Sequence, residues 1–382
     1  MGLMRIYLDN NATTPIDPAV LRVLETSLRD VYGNASSIHQ EGQAARRAIE
    51  EAREAVAALI GATAREIVFT SGGTESNNAA ISGAVPLSGR HHIVTTAIEH
   101  PSVTEALAEL ERQGHAVTPI LPARSGVVPA EEVIAAIHPE TKLVTVMMAS
   151  NETGVLQPVA EIGRACRERG VHFHCDAVQA AGRVDIDVQV IGCDTLALSA
   201  HKLHAPKGIG ALYVRRGVTL RPHLVGGAQE RRRRAGTENV PLAVAFGTAA
   251  RLATETRFRD EVRALRDRFE SRLQAAFGEA VSINGHEAER VPNTSNVSFR
   301  DTDGEGLVIA LDLSGVAVST GSACASGRIE PSGVLLAMGL TPAEAKSTVR
   351  FSLSRFTIAE ELEMVAELLT ELVPRCASPG KR

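Results

Sequence analysis

Six short runs of apolar, largely β-branched residues recur along the first two-thirds of the chain. They are EIVFT (66–70), HIVTT (92–96), LVTVMM (143–148), VHFHCD (171–176), TLALSA (195–200) and GALYV (210–214). Each has the length of a strand, and turn residues bound most of them. Helical stretches lie between several of the runs. In residues 43–60, for example, Ala45, Ile49, Ala52, Val56 and Leu59 form one apolar stripe at helical spacing. A chain that alternates in this way is predicted to build a largely parallel sheet with helices on both faces. Ligands of such sheets sit beyond the carboxyl ends of the strands, so strand ends are where function is to be sought.

Past residue 240 the pattern changes. A helical region runs from about Pro241 into the 270s, and then short strands (VSI, SNVSF, VAVST and VRFSLS) mix with helices. The expected class is α/β, with a large domain over 15–258 carrying the mainly parallel sheet. A smaller α+β domain is expected over 259–382, joined by residues 1–14. A chain of 382 residues is long enough for two cores. Tryptophan is absent and aromatic residues make up 3%, so Ala, Val, Leu and Ile must fill them.

The net charge of -5 gives no footprint for nucleic acid, with the run Arg231 to Arg234 as the one local exception. No apolar run approaches the roughly 18 residues of a membrane helix, and the opening MGLMRIYLDNNATT soon turns polar. A soluble, cytoplasmic protein with no membrane partner is expected. The five cysteines (Cys166, Cys175, Cys193, Cys324 and Cys376) are scattered and form no CxxC pair. That argues against a disulfide framework or a structural zinc site.

Several strand ends carry residues with chemistry. Lys202 follows TLALSA and precedes a Pro/Gly-rich turn. A lysine so placed can enter a cleft and form a Schiff base where its surroundings lower its pKa, although a lone lysine there is more often a surface residue. HCDAVQ ends another strand, where His174 and Asp176 share a face. A carboxylate there can pair with a pyridinium nitrogen and make the ring an electron sink, or it can cap the turn that follows. His174 and Cys175 point to opposite faces, which disfavours a shared metal ion. TSGGTESNN (70–78) follows EIVFT and opens a helix. Its glycines, hydroxyls and free N–H groups suit an anion, or simply a capped turn. His100, in Glu99-His100-Pro101 after HIVTT, can stack on a ring and move protons, or be structural. A strand-end lysine, a strand-end aspartate and a helix-opening anion site are together the three parts a pyridoxal-phosphate site requires.

Two features lie further along. STGSACASGRIEP, starting at Ser319, sets Cys324 among Gly, Ser and Ala. Such a composition cannot pack a core, so an exposed and reactive loop thiol is expected; the other four cysteines read as buried or inert. RFSLSRF puts Arg350 on an alternating strand, where it can hold a substrate carboxylate or make a surface salt bridge.

Taken in order, these motifs resemble those of cysteine desulfurases of the NifS/IscS type, within the aspartate-aminotransferase fold of pyridoxal enzymes. The resemblance runs from YLDNNATTP at Tyr7 to about residue 373. It includes GNASSIHQEG, FTSGGTESNN, AIEHPSV, SNETGVLQP, FHCDAVQAAG, LSAHKLHAPKGIGALYVRRG, GGAQERRRRAGTENV, NTSNVSF, STGSACASGRIEPS and VRFSLSRFT. It implies pyridoxal 5′-phosphate as cofactor, with Lys202 as the Schiff-base lysine, Asp176 on the ring nitrogen and His100 stacked on the ring. Asn151 and Gln179 would contact the ring and its hydroxyl, and Gly73, Thr74, Ser199 and His201 would hold the phosphate. Thr237 would reach the phosphate of a second subunit, which implies a homodimer and makes the arginine run an interface and active-site loop. Arg350, with Asn10 and Asn34, would bind the carboxylate of L-cysteine. Freed Lys202 would take the Cα proton, and Cys324 would receive the sulfur as a persulfide. The acceptor implied is an iron–sulfur scaffold protein, with Cys324 as a transient iron–sulfur ligand shared with it. HKLHAPKG is closer to the nitrogenase-associated members than to the housekeeping ones, which more often read HKLYGPKG. Departures from the family's usual residues are Cys175 for Thr, Ser150 for Asn, Ala35 for Pro and Gly333 for His; none removes a catalytic group. An aminotransferase or a selenocysteine lyase would use the same pyridoxal site, and the loop cysteine argues against the first. A non-catalytic interaction protein on the same fold is the remaining alternative.

Overall fold

All six apolar runs form strands of one sheet in the computed structural model, which describes residues 5–320 and 330–377. The strands in chain order begin with β1 (Ile6–Tyr7), β2 (Ile67–Thr70), β3 (His92–Thr96) and β4 (Ala116–Ile120). β5 (Thr141–Met147), β6 (His172–Asp176), β7 (Thr195–Ser199) and β8 (Gly210–Val214) follow. The large sheet has the order β2-β8-β7-β6-β5-β3-β4, and β8 alone runs against its neighbours. β4 was not legible as a strand. It lies at the sheet edge, is largely uncovered and contains Pro119, which an edge tolerates because one side of the ladder has no partner.

The stripe in residues 43–60 lies in the helix Gln40–Leu59, and all five of its residues are buried. Truncating Ile49 there to alanine costs about 2–5 kcal/mol, by loss of transfer energy and the cavity left behind. The partner is the helix Val240–Ala253, which approaches closely: a Cβ on Gly247 would lie 2.6 Å from Ala52 Cα. The long helical region expected after Pro241 is two helices, Val240–Ala253 and Arg257–Phe277. The first ends at Thr254, whose hydroxyl donates back to the carbonyl of Arg251 at 2.7 Å.

The second helix belongs to a separate core. β9 (Val281–Ile283), β10 (Thr294–Phe299) and β12 (Thr348–Ser352) form an antiparallel sheet, and β11 (Val316–Ala317) pairs with β1. Phe269, Phe299, Leu307, Phe351 and Leu369 pack there together with Ile6 and Leu8 from the start of the chain. From that core the segment 9–14 crosses to the large sheet, where Thr14 N–H bonds the carbonyl of His201 at 3.1 Å. It thereby lays its backbone along the carboxyl ends of the strands. Among the described residues no helix is long and apolar enough to cross a membrane, and no group of three metal-ligating side chains occurs.

Candidate active site

The carboxyl ends of β2, β3, β5, β6 and β7 surround one cavity of about 200 Å³. β2 leads into Gly73 and Thr74 at the start of the helix Gly73–Ala84, β3 into His100, and β5 into Asn151. β6 ends on Asp176, with Gln179 just beyond; β7 ends on Ser199, and the tight turn Ala200–Lys202 adds His201 and Lys202. Nine of the ten residues expected at a cofactor line this cavity, and Thr237 does not. A Cβ on Gly73 would come within 2.8 Å of Val178 Cγ2, so glycine lets the helix close onto the turn after β6.

Asp176 caps the turn that follows β6 and also lines the cavity. Its Oδ1 accepts from Val178 N–H at 2.9 Å and closes the turn; its Oδ2 accepts from Asn77 Nδ2 at 2.7 Å. His174 shares that face, as strand alternation requires. It is fully buried against Asn77 and Thr195, and burial with His172 nearby drives its pKa down to about 3. Cys175 points the other way into the core, where burial raises its thiol well above the ordinary range. Although it stands beside Asp176, Cys175 is closed off in the core, the buried state expected of it. Cys166 and Cys193 are likewise buried, and Cys376 is partly so.

His100 also does two things. Its Nδ1 accepts from Ser102 N–H at 3.1 Å, capping the helix Pro101–Arg112, while the ring lines the cavity. Burial lowers its pKa, against the pull of Asp176. Lys202 donates to the carbonyls of Asn11 and Ala12, the latter at 2.9 Å. Burial, helped by Arg183 and Arg350, brings its amine down to about 7. Arg183 is itself buried, and it lines a smaller cavity of about 80 Å³ that shares Lys202 with the first and is also lined by Asn10.

Arg350 is no surface residue. It is 4% exposed, with Nη2 on Asp9 Oδ1 at 2.8 Å and Nη1 on the carbonyl of Asn151 at 2.9 Å. Its Nε, also buried, has no hydrogen-bond partner among the described residues. Asn10 lies beside it, bonded through Nδ2 to the carbonyl of Ser352 at 2.8 Å. Asn34 is not brought to this place. It sits in an exposed turn, accepting from Ser36 N–H at 2.8 Å.

Three arginines of the run make contacts within the chain. Arg234 pairs with Glu75 at 2.9 Å, and Arg231 and Arg233 reach the carbonyl of Arg65. Just before the run, Glu230 forms a buried two-pronged pair with Arg53, at 2.6 and 2.9 Å, and takes Phe69 N–H at 3.2 Å. That pair pins a strained turn: Glu230, Arg231 and Arg232 have φ of 44°, 56° and 66°, a conformation that costs about 1–2 kcal/mol per residue. Thr237 follows on the surface. Cys324 lies outside the described residues. The chain on either side of it is tied to the site, Ser319 by backbone hydrogen bonds to Arg350 and Ser332 by a 2.5 Å bond from its hydroxyl to Glu152.

Asn77, Ser102 and Arg183 escaped the reading of the sequence. Asn77 and Ser102 stand inside motifs already singled out and Arg183 just after one, yet a polar residue on a helix has no sequence signal for a partner 99 positions away.

Residues 6–365 match the model of the class-V aminotransferase family. A cysteine desulfurase of Trichormus azollae is 48% identical over 374 residues, covering 97% of this chain and 93% of that one. A solved NifS-like protein has a TM-score of 0.90 at 34% identity, over 97% of this chain and all of its own. A structure titled as SspA in complex with cysteine has a TM-score of 0.83 at 36% identity, over 93% of this chain and all of its own. The chain belongs to the class-V aminotransferase family. Within that family it is similar over nearly its full length to cysteine desulfurases. The family's cofactor is pyridoxal 5′-phosphate, and the cavity fits it. Asp176 would meet the ring nitrogen, His100 the ring face and Lys202 the aldehyde carbon. Gly73, Thr74, Ser199 and His201 would take the phosphate at the helix N-terminus.

Proposed function

We propose that this chain is a cysteine desulfurase: it removes sulfur from L-cysteine, releases L-alanine and carries the sulfur as a persulfide on Cys324. The observation that carries this reading is Lys202, a lysine with its amine drawn down to about 7, facing Asp176 across a cavity at the strand ends. Bound pyridoxal phosphate supplies the electron sink that lets the Cα proton leave. Arg350 holds the substrate carboxylate, with Asn10 beside it. Lys202, as the neutral amine, takes the Cα proton. The Cys324 thiolate attacks the substrate sulfur; the S–S bond forms as the C–S bond breaks, and protons returned to carbon complete alanine. Anchoring of Ser319 and Ser332 beside Arg350 and Glu152 supports Cys324 as the acceptor. The test is the pure protein with L-cysteine and a thiol reductant. Sulfide and alanine in equal amounts are expected; alanine with no sulfide, or pyruvate in its place, overturns the reading.

The onward acceptor in this proposal is an iron–sulfur scaffold protein, and the setting is the cytoplasm. The chain is assigned a cofactor-binding unit over 15–258 and a smaller unit over 259–382 joined by 1–14; the second hydrophobic core supports the smaller unit, while Val291, Val334, Leu335 and Met338 pack with the first. The working form is a homodimer in which Thr237, exposed and outside its own chain's cavity, completes the phosphate site of the second copy. Asn34, exposed too, is assigned to the second copy's substrate on the same ground. Sedimentation at assay concentration is expected to give twice the chain mass; a fully active monomer overturns the assignment.

The environment of Lys202 sets a pH dependence. The neutral amine is the nucleophile, and it prevails above about pH 7 in the cofactor-free chain. The rate at which that chain turns yellow on adding pyridoxal phosphate is expected to climb through neutral pH and then level. A climb centred near the ordinary lysine value of about 10.4 overturns this.

A further inference from the structure

His172, His174 and Asp176 alternate along one face of β6, and the helix Gly73–Ala84 lays Asn77 against the last two. Asn77 and His174 are at most 1% exposed. The hydrogen-bonding capacity of these groups fixes the direction of the whole cluster. A carboxylate only accepts, so the Asn77 nitrogen must face Asp176 Oδ2, at 2.7 Å, and its second hydrogen goes to Ser102 Oγ at 2.8 Å. The Asn77 oxygen then faces His174 Nε2 at 3.0 Å, which must donate. His174 Nδ1 is left to accept, and the Thr195 hydroxyl lies there at 2.9 Å. Thr195 Oγ1 in turn is 3.1 Å from His172 Nε2, a ready donor. Every hydrogen from His172 to Asp176 thus points toward the cavity. Turning the carboxamide over would set its oxygen against the carboxylate and leave His174 without its acceptor, at the high cost of unpaired groups in a buried place. The network ends on two residues that line the cavity, Asp176 directly and His100 through Ser102 at 2.9 Å.

We propose that Asn77 is a positioning residue for the cofactor: oriented by His174, its carboxamide holds the Asp176 carboxylate in place, facing the cavity. The proposal rests on the reading of that cavity as the pyridoxal-phosphate site. Asn77 moves no proton and acts through Asp176. Val178 N–H, the other donor on Asp176, bonds the opposite oxygen and cannot replace it.

The test is a double-mutant cycle on cofactor binding by the full chain, read from fluorescence as pyridoxal phosphate is added. The variants are Asn77→Ser, Asp176→Asn and the two together. Asn77→Asp serves as a second probe, since it keeps size and the acceptor for His174 but removes both N–H donors. Melting of the cofactor-free proteins reports on folding. Asn77→Ser and Asn77→Asp are each expected to weaken binding about tenfold or more, the scale of a hydrogen bond to a charged group. Asp176→Asn is expected to weaken it at least as much, and the double variant to bind no worse than Asp176→Asn alone. A purely structural role would lower melting and make the effects multiply; multiplying effects overturn the proposal. So does binding by Asn77→Asp within about twofold of the natural chain, too small for a lost charge-assisted bond. Unchanged binding by Asp176→Asn would instead overturn the reading of the cavity on which the proposal stands.

Discussion

Lys202→Ala is expected to lose alanine formation from L-cysteine by about 10³-fold or more, since one deletion removes both the covalent anchor and the base. The loss should not come from unfolding. Lys202 is partly buried, and among the described residues its amine bonds two backbone carbonyls, those of Asn11 and Ala12. Its depressed pKa means that the fold holds the charged form at a cost, so its removal relieves an unfavourable burial. Near-normal melting with no yellow colour and no turnover is the expected pattern. Asp176, Asn77 and the phosphate-side residues remain, so pyridoxal phosphate should still bind, but reversibly. Turnover by Lys202→Ala near the natural rate would end the assignment.

Cys324→Ser separates the two halves of the chemistry. The cofactor residues lie on the large sheet, far along the chain from residue 324, so colour and L-cysteine binding should survive. A serine hydroxyl has a far higher pKa than a thiol and forms no persulfide. Sulfide release is therefore expected to fall to background while exchange of the substrate Cα proton with solvent continues. A silent Cys324→Ser would mean that the residue is only a small member of a Gly/Ser-rich segment.

The division of labour between sequence and fold can be read from particular residues. HIVTT and GALYV match their strands to the residue, because apolar runs bounded by turns leave little else to form. Strand-end position alone groups Lys202, Asp176, His100 and the Gly73 turn, which line one cavity. β4 escaped because an edge strand needs no apolar face, and Asn77 because its role is defined by Asp176 and Ser102, distant in sequence. Arg350 was legible as a cation but not as a buried one; its burial comes from the segment 9–14 passing over β12. Asn34 and Thr237 are exposed and do not line the cavity of their own chain, which the sequence motifs alone could not tell.

The path of the sulfur atom is decided by mass spectrometry of the protein after brief exposure to L-cysteine without reductant, followed by digestion. One added sulfur on the peptide that contains Cys324, with Cys166, Cys175 and Cys193 unchanged in their buried positions, is the expected result. The same addition on Cys175 or Cys376, or alanine accumulating with no sulfur on any cysteine, would overturn it.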